Sequence, residues 1–273
     1  MIIQSALEGA KSFVITMDEH TALSAQFAAH YGNHQFEAIT PRELMLHVIA
    51  NHDAGWRELD ALALRDPATG LPYHLVKTPF ARIVETSTRS ADRNGEYHPY
   101  CELMSSMHSW GLYNGRYGMS DKVLLNGLAA DNRTLADGML EAEIARQSRL
   151  LTTLGNDSDG AQWIEQPHLF QNYKQLQFFD TLALYFNCMP EGQRGQERFT
   201  NVPLSASEDA TVTVEPVAEG VYAFAPYPFD RDDLDITFAG RYLAPVDHGD
   251  TVQEQLRAAA PATQTVRVVR AVS

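Results

Sequence analysis

The stretch Asn51-His52-Asp53-Ala54-Gly55-Trp56 sets an imidazole beside a carboxylate, and both are ligands suited to iron, manganese, zinc or magnesium. An adjacent pair alone reads equally well as a helix end with a capping acid, so its weight comes from its company. His20 lies 32 residues earlier, His98 and His108 follow it, and Asp180 falls inside a late apolar segment. A lone carboxylate there is costly to desolvate unless it meets a cation, a metal ion or several donors. Together these residues define a candidate metal centre.

The elements that must position them can be read from periodicity. Met1-Ile2-Ile3 and Ser12 to Met17 form a β-hairpin around Glu8-Gly9-Ala10-Lys11. Apolar residues from His20 to Tyr31 recur at helical spacing after Asp18, a possible N-cap, which puts His20 in a first turn. A second helix starts at Thr40-Pro41, with Glu43 completing a capping-box pattern, and runs to about Trp56. On it His47 and His52 are five residues apart, about 500° around the axis, so they point roughly 140° away from each other and one site uses only one; His52, beside Asp53, is the choice.

Asp60 to Tyr97, rich in Pro, Thr, Asp and Gly, reads as a long irregular excursion with one short helix near Phe80 to Thr88. Its cations Lys77, Arg82, Arg89 and Arg93 are candidates for an anionic substrate group, and Arg116 and Trp56 join Lys77 and Arg82 as substrate-binding candidates. Pro99 to Tyr113 reads as a helix with His98 at its entrance and His108 in its body, about 15 Å apart along the axis and too far for a single ion. Glu141 to Leu150 carries Glu-to-Arg pairs and reads as a solvated helix, Asn156 to Gly160 as a turn, and Pro167 to Met189 as the last long helix, holding Asp180. Beyond Pro190, strand-like runs at 210–216, 220–225, 234–238 and 265–272 and a helix at 251–260 predict a β-rich end that includes His248. The expected architecture is α+β: a mainly helical unit over 1–190 with an N-terminal hairpin, and a β-rich subdomain over 191–273 packed on it.

Length and composition bound the ligand. The 273 residues are 44% hydrophobic and 10% aromatic, enough for a sizeable core. A net charge of -14 argues against nucleic acid and anionic membranes and leaves a small molecule as the expected partner; a homodimer is compatible with this. Two cysteines form no disulfide framework, and the N-terminus lacks a signal peptide's basic and apolar regions. The expectation is a soluble cytoplasmic protein.

His20, then His52-Asp53 followed by Gly55, then Asp180 in a late helix resembles the ordered ligand set of the HD-domain superfamily of metal-dependent enzymes. His98 and His108 fill the two middle histidine slots of its two-metal members. The chain also resembles, over nearly its full length, a bacterial family catalogued as a domain of unknown function. The stretches that carry this second resemblance include His20-Thr-Ala-Leu-Ser24, Asp66-Pro-Ala-Thr-Gly-Leu-Pro72, His98-Pro-Tyr100 and Tyr222-Ala-Phe-Ala-Pro-Tyr-Pro-Phe-Asp230.

The HD resemblance implies a helical bundle in which His20, His52 and Asp180 hold one ion. Asp53 bridges to a second ion held by His98 or His108 or both, and the acid-base work falls to Asp53, His98 and His108. Two departures stand out: Trp56 replaces the Lys, Arg or His that HD enzymes often carry, and the gap from His98 to His108 is short for the family. The first functional expectation is metal-dependent hydrolysis of a small metabolite, phosphorylated or not, with Fe, Mn or Zn. The alternatives are a mixed-valent diiron oxygenase, with Fe, and a non-catalytic binding module.

Overall fold

The computed structural model describes residues 1–4, 11–245 and 251–271; the hairpin turn around Gly9 and His248 lie outside the described residues. Strands β1 (Ile2–Ile3) and β2 (Ser12–Ile15) are followed by helices α1 (Met17–Ala29), α2 (Arg42–Asn51) and α3 (Arg57–Leu62). Next come α4 (Phe80–Tyr97), α5 (Pro99–Tyr113), the four-residue turn α6 (Gly115–Gly118), α7 (Ala130–Gly155), α8 (Ser158–Trp163) and α9 (Gln166–Cys188). The chain then gives β3 (Glu197–Pro203), β4 (Asp209–Ala218), β5 (Val221–Ala225), β6 (Asp233–Leu243), α10 (Val252–Ala258) and β7 (Pro261–Arg270). The expected α+β class is observed. No helix among the described residues is long and apolar enough to cross a membrane.

Among the described residues seven strands form one sheet, in the order β1-β2-β6-β7-β5-β4-β3, antiparallel except for the parallel pair β5 and β7. The N-terminal hairpin therefore pairs with the C-terminal strand β6, Ser12 opposite Leu243 and Val14 opposite Arg241. Along β6 the inward residues Leu234, Ile236 and Phe238 alternate with exposed ones, as a half-buried strand requires. Helices cover that inner face. Phe27 of α1 stacks on Phe186 of α9 and Phe229 after β5, with ring centres 5.7 and 5.9 Å apart, so one core runs through both layers.

Several local expectations change. The N-cap of α1 is Thr16, whose hydroxyl accepts from Glu19 N at 3.3 Å; Asp18 instead pairs with Arg57. The capping box at Thr40 is not formed: α2 starts after Pro41 with no side-chain cap, and the Thr40 carbonyl accepts from His168 and Asn172 of α9. Residues 89–95 are not loop but the second half of α4. Helix α7 is not solvated all round, because Glu143 is fully buried against Arg146, which also binds Asp92 of α4 and Glu102 of α5. Strand β3 escaped the sequence reading; it is an edge strand with polar residues outward and a register shift between Phe199 and Val202.

Candidate metal centre

Five of the six predicted ligands meet in two overlapping groups, His20 with His52 and Asp180, and His52 with Asp53 and His108, with the donor atoms of each group within 4.8 Å of one another. His20 comes from α1, His108 from α5 and Asp180 from α9, while His52 caps the end of α2 and Asp53 begins the tight turn Ala54–Trp56. That turn leaves backbone groups outside any helix ladder, which must find other partners. Helix α4 supplies them. Ser90 Oγ accepts from Gly55 N, Arg93 donates to Ala54 O, and Asn94 donates to Asn51 O at 2.8 Å. Gly55 is required because a Cβ there would lie 2.1 Å from Thr86 O and 2.6 Å from Ser90 N.

Each histidine is held by its Nδ1. His20 Nδ1 donates to Asn187 Oδ1 at 3.0 Å, His52 Nδ1 donates to Ile49 O at 2.8 Å, and His108 Nδ1 lies 2.7 Å from the Gln177 amide. Such outer partners fix the tautomer and ring orientation of metal-binding imidazoles. With Nδ1 carrying the proton, His52 Nε2 is a lone pair. It is buried, has no hydrogen-bond partner, and faces Asp53 Oδ2 at 3.6 Å and Asp180 Oδ1 at 3.7 Å. His20 Nε2 faces the same Asp180 oxygen at 3.2 Å. Lone pairs turned on lone pairs repel unless a proton or a cation lies between them.

The donor set fits a metal. An ion about 2.0–2.2 Å from each ligand holds ligand atoms about 3.0–3.5 Å apart, so the observed spacings need only a small inward movement. Imidazole with carboxylate also suits Zn, Fe and Mn. The electrostatics agree in sense. Burial alone would lower the His52 pKa, but the Asp53 charge, then Asp180 and the Ile49 carbonyl, push it up to about 9. Burial would raise Asp180, yet the His20 and His52 rings that face it, with His108 beside them, hold it well below the usual carboxylate range. Burial dominates at His108 and lowers it to about 4, so that ring is neutral at pH 7.

His98 is not brought into the cluster. Its Nδ1 accepts from Tyr100 N at 3.0 Å as the N-cap of α5, and its ring lies against Trp163. Trp56 is 6% exposed and packed in the core, which explains an aromatic at a position where a substrate contact was expected. Lys77 is exposed at the end of the short turn Leu75–Lys77, and Arg82 is spent on Glu85 of its own helix at 2.8 Å. Arg116 is different: it lines a cleft of about 720 Å³ that also reaches Gln177, the partner of His108. The second-layer residues Gln177 and Asn187 went unread in the sequence, although with Asp180 they form a set spaced by 3 and 7 residues, one face of α9.

Fold and site together define an α+β protein with buried His/Asp groups that could bind a metal ion. The chain belongs to the family described as "Protein of unknown function (DUF3891)", whose model matches residues 1–245, a span that contains every residue of the cluster. No curated protein and no solved structure matches it significantly.

Proposed function

We propose that the protein is a metal-dependent hydrolase of HD type acting on a small, anionic metabolite. The observation that carries this reading is His52 Nε2, buried and unpartnered between two carboxylates on a fold that otherwise satisfies the ring's other nitrogen. His20, His52 and Asp180 would hold the ion. A bound divalent ion supplies Lewis acidity to a water and to the reacting carbonyl or phosphoryl oxygen. Asp53, with 18% of its side chain exposed, is the carboxylate that would take a proton from an attacking water at its free oxygen. His108, with the Gln177 amide donating to Nδ1, keeps its proton on Nε2 and offers it as a hydrogen bond to charge developing on the leaving oxygen.

The His52, Asp53 and His108 group favours a second reading, the diiron oxygenase. Turned over, the Gln177 amide would accept from His108 Nδ1 and free Nε2 for a second ion bridged by Asp53. Without His98 that second position has few ligands of its own, and His52 offers only one nitrogen to both groups. The one-ion hydrolase is therefore the primary proposal.

Elemental analysis of protein loaded with Zn, Mn or Fe under anaerobic conditions tests it. One ion per chain, lost in Asp180→Asn and His52→Gln variants that keep wild-type circular dichroism, is the expected result. Two irons with a mixed-valent EPR signal would move the assignment to the oxygenase. No stoichiometric metal, or full metal in Asp180→Asn, would overturn both.

A further inference from the structure

We infer that the cleft of about 720 Å³ between the end of α5, the turn α6, one face of α9 and strand β3 binds an organic anion with an apolar body, its charged end held by Arg116. This rests on the hydrolase reading only in taking the ligand as substrate; the binding site stands on its own observations.

The first observation is charge. The chain carries 35 acids against 21 basic residues, so cations are outnumbered. Arg116, Lys122 and Arg198 all line this cleft, and among the described residues none of the three has a carboxylate partner. Lys174 in the same wall is held by Asp209 at 2.6 Å. The same wall holds the acids Asp121 and Glu197, so it sets four cations against two carboxylates, the reverse of the balance of the whole chain, and such a concavity attracts an anion.

The second is how Arg116 is placed. Gly115, Arg116, Tyr117 and Gly118 have φ of 59, 51, 57 and 87°, four consecutive left-handed residues, and two of them bear side chains that avoid this region. Tyr117 offsets its share by packing: its ring centre lies 4.5 Å from Trp110, 5.0 Å from Tyr173 and 5.4 Å from Phe170, and its hydroxyl bonds Gln147. Tyr117 turned inward leaves Arg116 lining the cleft. Strain maintained by this much packing, with a charged residue as its product, is characteristic of a ligand contact.

The third is Gln177. It is 5% exposed, lines the cleft, and uses Nε2 on His108, while Oε1 has no hydrogen-bond partner. A protonated oxygen or nitrogen near the ligand's charged group would complete it and would link an occupied cleft to the His108 ring. Phe178, Leu184, Tyr185 and Phe199 form the apolar part of the wall and set the apolar character of the ligand's body. The volume falls within the range of about 300–1,000 Å³ common for small-molecule sites.

The test is calorimetric titration of the full chain with octyl phosphate, octanoate, inorganic phosphate and octanol, with and without Zn. The expected result is that octyl phosphate or octanoate binds at least tenfold more tightly than inorganic phosphate or octanol. Arg116→Asn, which suits a left-handed position, should weaken that binding by tenfold or more with unchanged circular dichroism and metal content, and Arg116→Lys should recover part of it. Failure of both octyl phosphate and octanoate to bind, or binding unaltered in Arg116→Asn, would overturn the inference. Arg116-dependent binding that persists in Asp180→Asn supports the cleft. The same binding in a protein that takes up no metal would support the cleft and sink the hydrolase reading, whereas metal uptake with Arg116-independent binding would do the reverse.

Discussion

His52 has two states open to it, and they compete. In the metal-free protein a proton on Nε2 neutralises the facing Asp53 and Asp180 oxygens, and the ring's pKa rises to about 9. A metal must displace that proton. Apparent affinity for Zn should therefore rise about tenfold per pH unit between pH 6 and 8 and level off above about 9, read by chelator-buffered titration at several pH values. A flat profile over that range would mean that His52 is either unprotonated without metal or not a ligand. The sign for folding follows. Since the folded pKa lies above the ordinary 6.5, His52 stabilises the metal-free fold fully below that value and ceases to do so as pH rises through about 9. Residue types and chain order were enough to single out His20, His52, Asp53, His108 and Asp180. They could not separate His108 from His98, because a histidine that binds and a histidine that caps a helix look alike until it is known which neighbours the helix presents; here one meets Gln177 and the other Tyr100 N.

At the scale of elements, the centre depends on α4, which contributes no ligand. Its buried residues are Thr86, Ser90, Ala91 and Asn94, a face of small and polar side chains that lets it approach the Ala54–Trp56 turn closely. Apolar periodicity is blind to such a face, and that is why residues 89–95 read as loop. The close approach predicts an asymmetry between two glycines. Gly55→Ala would push a methyl onto Thr86 O and Ser90 N, backbone atoms that cannot rotate away, and should cost roughly 1–3 kcal/mol of stability by overpacking and weaken metal binding as the His52-Asp53 turn shifts. Gly138→Ala in α7 meets nothing within 4 Å and should instead stabilise by up to about 1 kcal/mol through helix propensity. Thermal unfolding of both variants, with and without Zn, checks this. Equal and small effects would show that α4 does not clamp the turn.

For the whole molecule, the question is whether the chain divides at residue 190, where composition shifts from helical to β-rich. The observed contacts cross that point in every layer. Strand β2 pairs with β6 on its inner side, Phe27 stacks on Phe229, and Phe186 packs edge-on against Tyr222 at 4.9 Å. Buried Arg194 reaches back without an ion-pair partner among the described residues; it donates to Phe186 O and Met189 O, closing the carbonyl end of α9, and to the Tyr222 hydroxyl at 2.9 Å. Helix α9 carries Asp180 and Asn187, so its last turns belong to the metal centre as well as to the sheet. A fragment of residues 1–190 would expose the inner face of α1 and α9 and leave those terminal carbonyls without their cation. It is expected to show no cooperative thermal transition and to bind no Zn, whereas the full chain unfolds in one transition that rises with Zn. At one hundred times the dissociation constant the ion adds about 2.7 kcal/mol, or about 5 °C for a chain of this length. A 1–190 fragment that melts cooperatively and holds Zn would make the helical part a domain in its own right and the sheet an accessory; loss of both properties makes the sheet the wall against which the metal-binding helices are set.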